Sequence, residues 1–254
     1  MQTSIDFGYP WWLSYGHLVI LLPALGLAAF AYGRIRWLFV TSAAIAVWAA
    51  AAFCVMRFVI DVNGQPALVT ENFLRTNAGR ILDIGAGTGR SSIMVLKARP
   101  QATLVASDLF GDSFDHHFGH SESPQQQRLA ANLAAAGVAN RATVATADMR
   151  KLPFEPASFD AVVSAYAMDH LNRQGSIEAL AEAHRVLKPG GDFLLILVSN
   201  DAWARFAFGP VLSHGGTRGA TWWRDRMREA GFVDIAEEGN KPLTLYLLAR
   251  RSLL

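Results

Sequence analysis

The chain predicts a doubly wound α/β fold of seven strands behind two apolar helices, on three observations. From residue 81 onward, short apolar runs alternate with helical segments, the order of a parallel sheet with helices on both faces. The first run, Ile81 to Ile84, passes directly into the turn Gly85-Ala86-Gly87-Thr88-Gly89. Ahead of both, Leu18 to Tyr32 and Trp37 to Met56 are long stretches without a charge.

The apolar stretches come first in the chain. Trp37 to Met56 spans twenty residues, about 30 Å of helix and the hydrocarbon thickness of a bilayer. Leu18 to Tyr32 is shorter but extends back to Leu13, and its Pro23 and Gly26 are tolerated in a membrane helix. Trp11, Trp12, Tyr15, Tyr32 and Trp37 stand where interfacial aromatics are expected. A cleaved signal peptide conflicts with the lack of Lys and Arg before His17 and with the second stretch. A buried soluble hairpin conflicts with an Ala-rich sequence that has no polar face. The short connection Gly33-Arg34-Ile35-Arg36 leaves a one-leaflet hairpin open, and two spanning helices are the favoured reading. Arg34 and Arg36 at the tip would place both termini outside; Arg57, Arg75 and Arg80 after the second span point the other way.

Composition excludes several function classes. Hydrophobic residues make up 52% and mean hydropathy is +0.21, with the excess in the first sixty residues. Those sixty hold three Arg and one Asp, which leaves twenty basic and twenty acidic residues beyond them. A neutral domain of that kind is no nucleic-acid binder. The single cysteine, Cys54, excludes a disulfide framework and a cysteine zinc site.

The sheet follows in order. A linker with a short helix over Pro66 to Thr76 leads to the strand Ile81 to Ile84. The glycines permit a tight turn that a ligand can approach closely, and a helix from Ser91 to Ala98 would aim its first N–H groups at that ligand. The spacing is GxGxG, with Arg90 where a dinucleotide fingerprint has its last glycine. Asp83, at the strand end, either anchors the loop or accepts from a cationic amino group. Ala102 to Ser107 is the second strand. Asp108 closes it nineteen residues after Gly89, the spacing of an acid on a ribose hydroxyl or simply of a strand-end Asp. Ser123 and Pro124 read as N-cap and first residue of a helix through Ala135. Thr143 to Ala147, Phe159 to Ser164 and Phe193 to Val198 are further strands. A helix over Glu178 to Leu187 is stopped by Lys188-Pro189-Gly190-Gly191. A helix at Trp222 to Phe232 precedes a last strand pair, Val233 to Glu237 and Leu243 to Ala249.

Four motifs in this order carry a resemblance: ILDIGAGTGR, the ADMRKLPF stretch, the Phe159-Asp160 pair before its strand, and HRVLKPGGDFLLI. Together they resemble the class I S-adenosylmethionine (SAM)-dependent methyltransferases, in particular the ubiquinone/menaquinone-biosynthesis type, over roughly residues 70–250. The resemblance implies a seven-stranded Rossmann-like sheet with the last pair antiparallel. It implies SAM as cofactor, S-adenosylhomocysteine as product, and a cofactor site at Asp83, Gly85, Ala86, Gly87, Gly89, Asp108, Leu109, Asp148, Met149 and Ser164. Asp148 would accept from the adenine amino group and Met149 would pack on the ring. SAM is a cytosolic compound, so the domain is expected on the cytoplasmic side of the membrane, with residues 1–60 as anchor, 61–78 as linker and 79–254 as the methyltransferase domain. A chain lacking residues 1–60 is expected to fold and bind SAM.

The loop after Phe159 to Ser164 borders the transferable methyl in that family, which makes His170 the candidate base and Tyr166 a candidate wall; the alternative for His170 is a structural histidine. Two segments depart from the family core. The insertion at 111–122 holds Asp112, Asp115, His116, His117 and His120, at a spacing unlike standard zinc sites, and no metal is expected. The segment 199–220, with Trp203, Phe206 and Phe208, reads as a lid, an interfacial contact or simple packing over the sheet. The expected acceptor is a small molecule or lipid-like compound. The alternatives are a soluble acceptor met by a merely tethered enzyme, and a SAM-binding sensor or scaffold without turnover.

Overall fold

The computed structural model describes residues 5–110, 125–199, 201–208, 218–241 and 243–253. Its contacts divide them into two units: residues 5–8, 65–199 and 218–253 in one, residues 9–64 and 201–208 in the other. The expected boundary at residue 60 is therefore displaced at two places. Residues 5–8 go with the sheet, and residues 201–208 go with the apolar helices.

In the helical unit, α1 (Trp11–Ala31) and α2 (Arg36–Cys54) form a hairpin whose turn places Gly33 at φ +70°. The helices start earlier than the uncharged stretches suggest. A π-helical turn, Val55–Ile60, closes α2. Ala24, Ala28 and Ala31 of α1 and Ser42, Ala46, Ala49 and Ala52 of α2 are buried. Large apolar side chains point outward instead, Leu22 being 67% and Val47 70% exposed. Small residues thus line the contact between the two helices and large apolar ones the outer face. Both helices are long and apolar enough to cross a bilayer.

A short helix, which we number α6 (Ala202–Phe208), belongs to the same unit. Its last carbonyls lack partners within so short a helix. The Trp48 indole N–H donates to Phe206 O at 2.9 Å, and His17 Nε2 lies 2.6 Å from Ala207 O. The two rings meet edge to face at 5.7 Å.

The other unit is a seven-stranded sheet in the order β3-β2-β1-β4-β5-β7-β6. Its elements are β1 (Ala78–Ile84), α3 (Arg90–Ala98), β2 (Gln101–Asp108), α4 (Gln125–Ala135), β3 (Ala142–Thr146), β4 (Phe159–Ala165), α5 (Arg173–Val186), β5 (Leu187–Val198), α7 (Ala220–Glu229), β6 (Phe232–Lys241) and β7 (Thr244–Arg251). Strands β1 to β5 are parallel, and β7 runs antiparallel to both β5 and β6. The seven-stranded Rossmann-like expectation holds. Central strands buried on both faces read as unbroken apolar runs, which is why they were legible. Leu82, Val162, Phe193, Leu195, Trp223 and Phe232 share the core.

Local expectations are corrected at three places. No helix forms over 66–76: residues 71–76 are turns, and Leu74, at φ +47°, donates its N–H to Asp192 at 2.8 Å. The helix before KPGG begins at Arg173 rather than Glu178, because Asn172 caps it by accepting from Gly175 N at 2.8 Å. The helix stops ahead of Lys188 to Gly191 as expected, but these residues lie inside β5 rather than in a turn before it. The register passes from Phe159 opposite Leu187 to Ala161 opposite Asp192, so a bulge absorbs the extra residues. The expected cap at Ser123 and Pro124 and the 111–122 insertion, with His116, His117 and His120, lie outside the described residues.

Candidate active site

Strand order reverses between β1 and β4, which are neighbours although β2 and β3 separate them in sequence. Such a switch point opens a crevice at the carboxyl ends of the strands. The glycine loop sits there. Gly85, Gly87 and Gly89 have φ of +75°, +53° and +93°, which an L side chain adopts only with strain. A methyl group at Gly85 would collide with Ala167 Cβ and stand 3.1 Å from Met149 Cε. The loops after β1, β3 and β4 therefore converge on one point.

The loop spends its own N–H groups internally. Gly85 and Ala86 donate to Ser107 O at 2.8 and 3.0 Å, Gly87 to Asp108 Oδ2 at 2.8 Å, and Gly89 to Ala86 O at 2.8 Å. A phosphate cradle needs such donors free. The glycines serve close approach instead, which suits a cofactor with no phosphate at this position.

Asp83 is fully buried. Its Oδ2 accepts from the Ser91 and Ser92 hydroxyls at 2.7 and 2.6 Å, which fixes the start of α3 to β1, while Oδ1 has no partner. Asp83 thus anchors the start of α3 with one oxygen. Burial pushes its carboxyl up to about 6 against the pull of the serines, with Asp108 adding a little more. Asp108 is held by the N–H groups of Gly87 and Leu109, the latter at 2.7 Å, and burial raises its pKa as well. Leu109 is exposed and Ser164 fully buried, its Oγ without a partner.

Asp148 is different. It lies in a turn closed by the Asp148–Lys151 bridge, and Arg150 grips it with two nitrogens, the shortest contact being 2.6 Å. That guanidinium holds the carboxyl below its ordinary value. An adenine amino group would share this carboxylate with Arg150.

After β4 the chain turns through Tyr166, whose φ of +53° is rare for an aromatic residue and marks stored strain. Its N–H donates to Ile196 O at 2.8 Å and its hydroxyl lies 2.7 Å from Thr244 Oγ1. Burial raises the phenol pKa, opposed by the Thr244 hydroxyl and Arg90 and reinforced by Asp169, so Tyr166 stays protonated. His170 ends the 3-10 turn Met168–His170 and is exposed. Two residues that sequence reasoning gave no role join the group. Arg90 has a buried Nε and Asp169 a buried Oδ1, both without partners. The signals were present: Arg90 breaks the dinucleotide glycine pattern, and Asp169 adjoins His170.

Four partnerless buried polar atoms thus sit on the loops and ends of β1 and β4: Asp83 Oδ1, Arg90 Nε, Ser164 Oγ and Asp169 Oδ1. Unpaired buried polar atoms are costly, so a cluster of them at a switch point fits a polar ligand. Carboxylates, hydroxyl and a close-approach glycine turn fit the ammonium, ribose and sulfonium chemistry of SAM. Among the described residues, no group of three or more His, Cys, Asp or Glu is placed to hold a metal.

Comparison with known proteins agrees. Residues 81–191 match the family model for a methyltransferase domain. The ubiquinone/menaquinone biosynthesis C-methyltransferase UbiE of Rhizobium leguminosarum bv. trifolii is 32% identical over 136 residues, covering 49% of this chain and 47% of that protein. Its namesake in Syntrophotalea carbinolica is 34% identical over 142 residues, covering 56% and 52%. The chain thus spans about half the length of the curated relatives it matches. An O-methyltransferase family protein from Burkholderia thailandensis shares the fold, with a TM-score of 0.57 at 19% identity over 95% of this chain and 70% of that one. Residues 81–191 form a methyltransferase domain of the class I, SAM-dependent type, similar to that of the ubiquinone/menaquinone C-methyltransferases.

Proposed function

We propose that the chain is a membrane-anchored methyltransferase that passes the methyl group of SAM to a small amphiphilic acceptor, a quinone precursor or a lipid. The partnerless polar atoms around β1 and β4 carry this reading. When bound, SAM supplies an electrophilic methyl on a positively charged sulfur. Asp108 takes the ribose hydroxyls, Asp148 and Met149 the adenine, and Asp83 Oδ1 the cationic amino group. Gly85, Ala86, Gly87, Gly89, Leu109 and Ser164 line the site.

The leaving group is a neutral thioether, so placing the acceptor in line supplies most of the rate. Tyr166, kept protonated by burial, donates a hydrogen bond to the acceptor rather than taking its proton. His170 is the base for an acceptor that must lose a proton. The hairpin's outward apolar faces support the anchor, and the sheet domain works on the cytoplasmic side, where SAM is found. Trp203 and Phe206 are exposed on α6, within the helical unit, and the chain reaches them directly after β5. That supports an acceptor drawn from the bilayer, as do the relatives' names in quinone biosynthesis. Arg224 and Arg228 are less suited to lipid headgroups, being paired with Glu238 and Asp225.

The test is incubation of membranes holding the protein with methyl-labelled SAM, followed by extraction. Label in the lipid fraction is expected. Label in the aqueous fraction would mean a soluble acceptor and a mere tether. Bound S-adenosylhomocysteine with no transfer to any fraction would mean a sensor or scaffold.

A further inference from the structure

Residues 5–8 precede the first apolar helix, yet they belong to the sheet unit. Phe7 is 4% exposed, and its carbonyl accepts from the Thr88 hydroxyl at 2.9 Å. Asn132 of α4, 2% exposed, ties both sides together. Its Oδ1 accepts from Asp6 N at 2.9 Å, and its Nδ2 donates to Asp6 O at 2.8 Å and to Thr88 O at 2.9 Å. Asp6 pairs with Arg128 at 3.4 Å and accepts from Gly8 N at 2.8 Å. The Arg90 guanidinium stands 5.9 Å from the centre of the Phe7 ring.

Thr88 lies between two glycines of the cofactor loop, and glycine gives the unfolded loop more freedom to lose than any other residue. A loop of this kind keeps one shape only where outside contacts hold it. Ser107 and Asp108 hold its first half, and Asn132 with the strap of residues 5–8 holds it at Thr88. We infer that residues 5–8 are a fixed wall of the cofactor site, latched through Asn132, and that Asn132 is a positioning residue for the glycine loop. Cofactor affinity then depends on residues ahead of the membrane hairpin. A chain cut at residue 60 loses the strap and binds weakly, in place of the binding expected from the sequence. The inference rests on the cofactor reading above.

Calorimetric titration with S-adenosylhomocysteine, on full-length protein in detergent, tests it. The variants are Asn132→Ala, Phe7→Ala, a chain starting at residue 9 after an initiator Met, and that chain with Asn132→Ala. Each single change is expected to raise Kd about 5- to 30-fold, the worth of one or two buried hydrogen bonds. The double change should cost much less than the product of its parts, because both remove one latch. All titrations run well below each variant's Tm, so a merely structural role would lower Tm and leave Kd alone. Unchanged Kd in Asn132→Ala and Phe7→Ala, or losses that multiply in the double variant, would overturn the inference while leaving the cofactor reading intact. No binding by the wild type would instead remove the cofactor reading.

Discussion

The two ends of the sheet treat charge in opposite ways. At the amino end, Asp160 accepts from Arg80 N and pairs with Lys188 at 2.7 Å, and Asp192 holds Leu74 N and Arg250. Arg99 donates to Phe73 O and Glu71 O, and Arg141 to Leu96 O, Arg99 O and Ala102 O. Ser158 Oγ, His184 Nε2 and, toward the end of α7, Arg226 Nε lack partners there, and burial lowers the His184 pKa, which keeps the ring neutral. At the carboxyl end, two carboxylates and a guanidinium keep a buried atom unpaired. Charges at the first end fasten loops to strands. At the second end they leave buried atoms unpaired, and functional sites are where such perturbed groups gather.

That contrast breaks if function and stability respond alike at both ends. His170→Gln should have the largest effect, lowering kcat about 100-fold or more if the acceptor loses a proton, the usual worth of a general base. Binding of S-adenosylhomocysteine should be unchanged in it. A kcat within a few-fold of wild type would return His170 to a structural role. Asp108→Ala removes a charge-assisted acceptor worth about 1.5–3 kcal/mol, so Kd should rise roughly 10- to 150-fold, with part of the loss from freeing Gly87 N. Asp192→Ala is the matching change at the amino end. It should cost about 1–3 kcal/mol in chemical denaturation through Leu74 N and Arg250, with Kd unmoved.

Asp83 sharpens the contrast by pH. Its folded pKa of about 6 lies above the ordinary 3.8, so the folded state binds the extra proton and stability falls as pH rises between these values. At about 1.4 kcal/mol per unit the ionised form costs on the order of 3 kcal/mol above pH 6. Asp83→Asn should flatten that decline in denaturation curves taken from pH 4 to 7. An undiminished slope would show that Asp83 titrates normally.

The sequence made the sheet legible because its strands are buried on both faces and leave unbroken apolar runs. The glycine loop, Asp108 and the antiparallel last pair followed from spacing and resemblance. Contacts between distant residues were not legible. Asn132 meets Asp6 across 126 positions, and no local pattern announces it. Arg150 captures Asp148 through a turn two residues long, where the motif alone suggested an acceptor for the adenine amino group. The 66–76 segment has helix-forming residues, but Arg99 and Asp192 take its backbone into turns. In each case tertiary hydrogen bonds overrode local propensity.

The central claim is that the carboxyl-end crevice is a SAM site. Calorimetry of the full-length protein in detergent tests it most directly, with S-adenosylhomocysteine and NAD titrated separately into wild type and Asp108→Ala. The account predicts one site for S-adenosylhomocysteine, weakened in Asp108→Ala, and no heat from NAD. Binding of NAD without S-adenosylhomocysteine would contradict it.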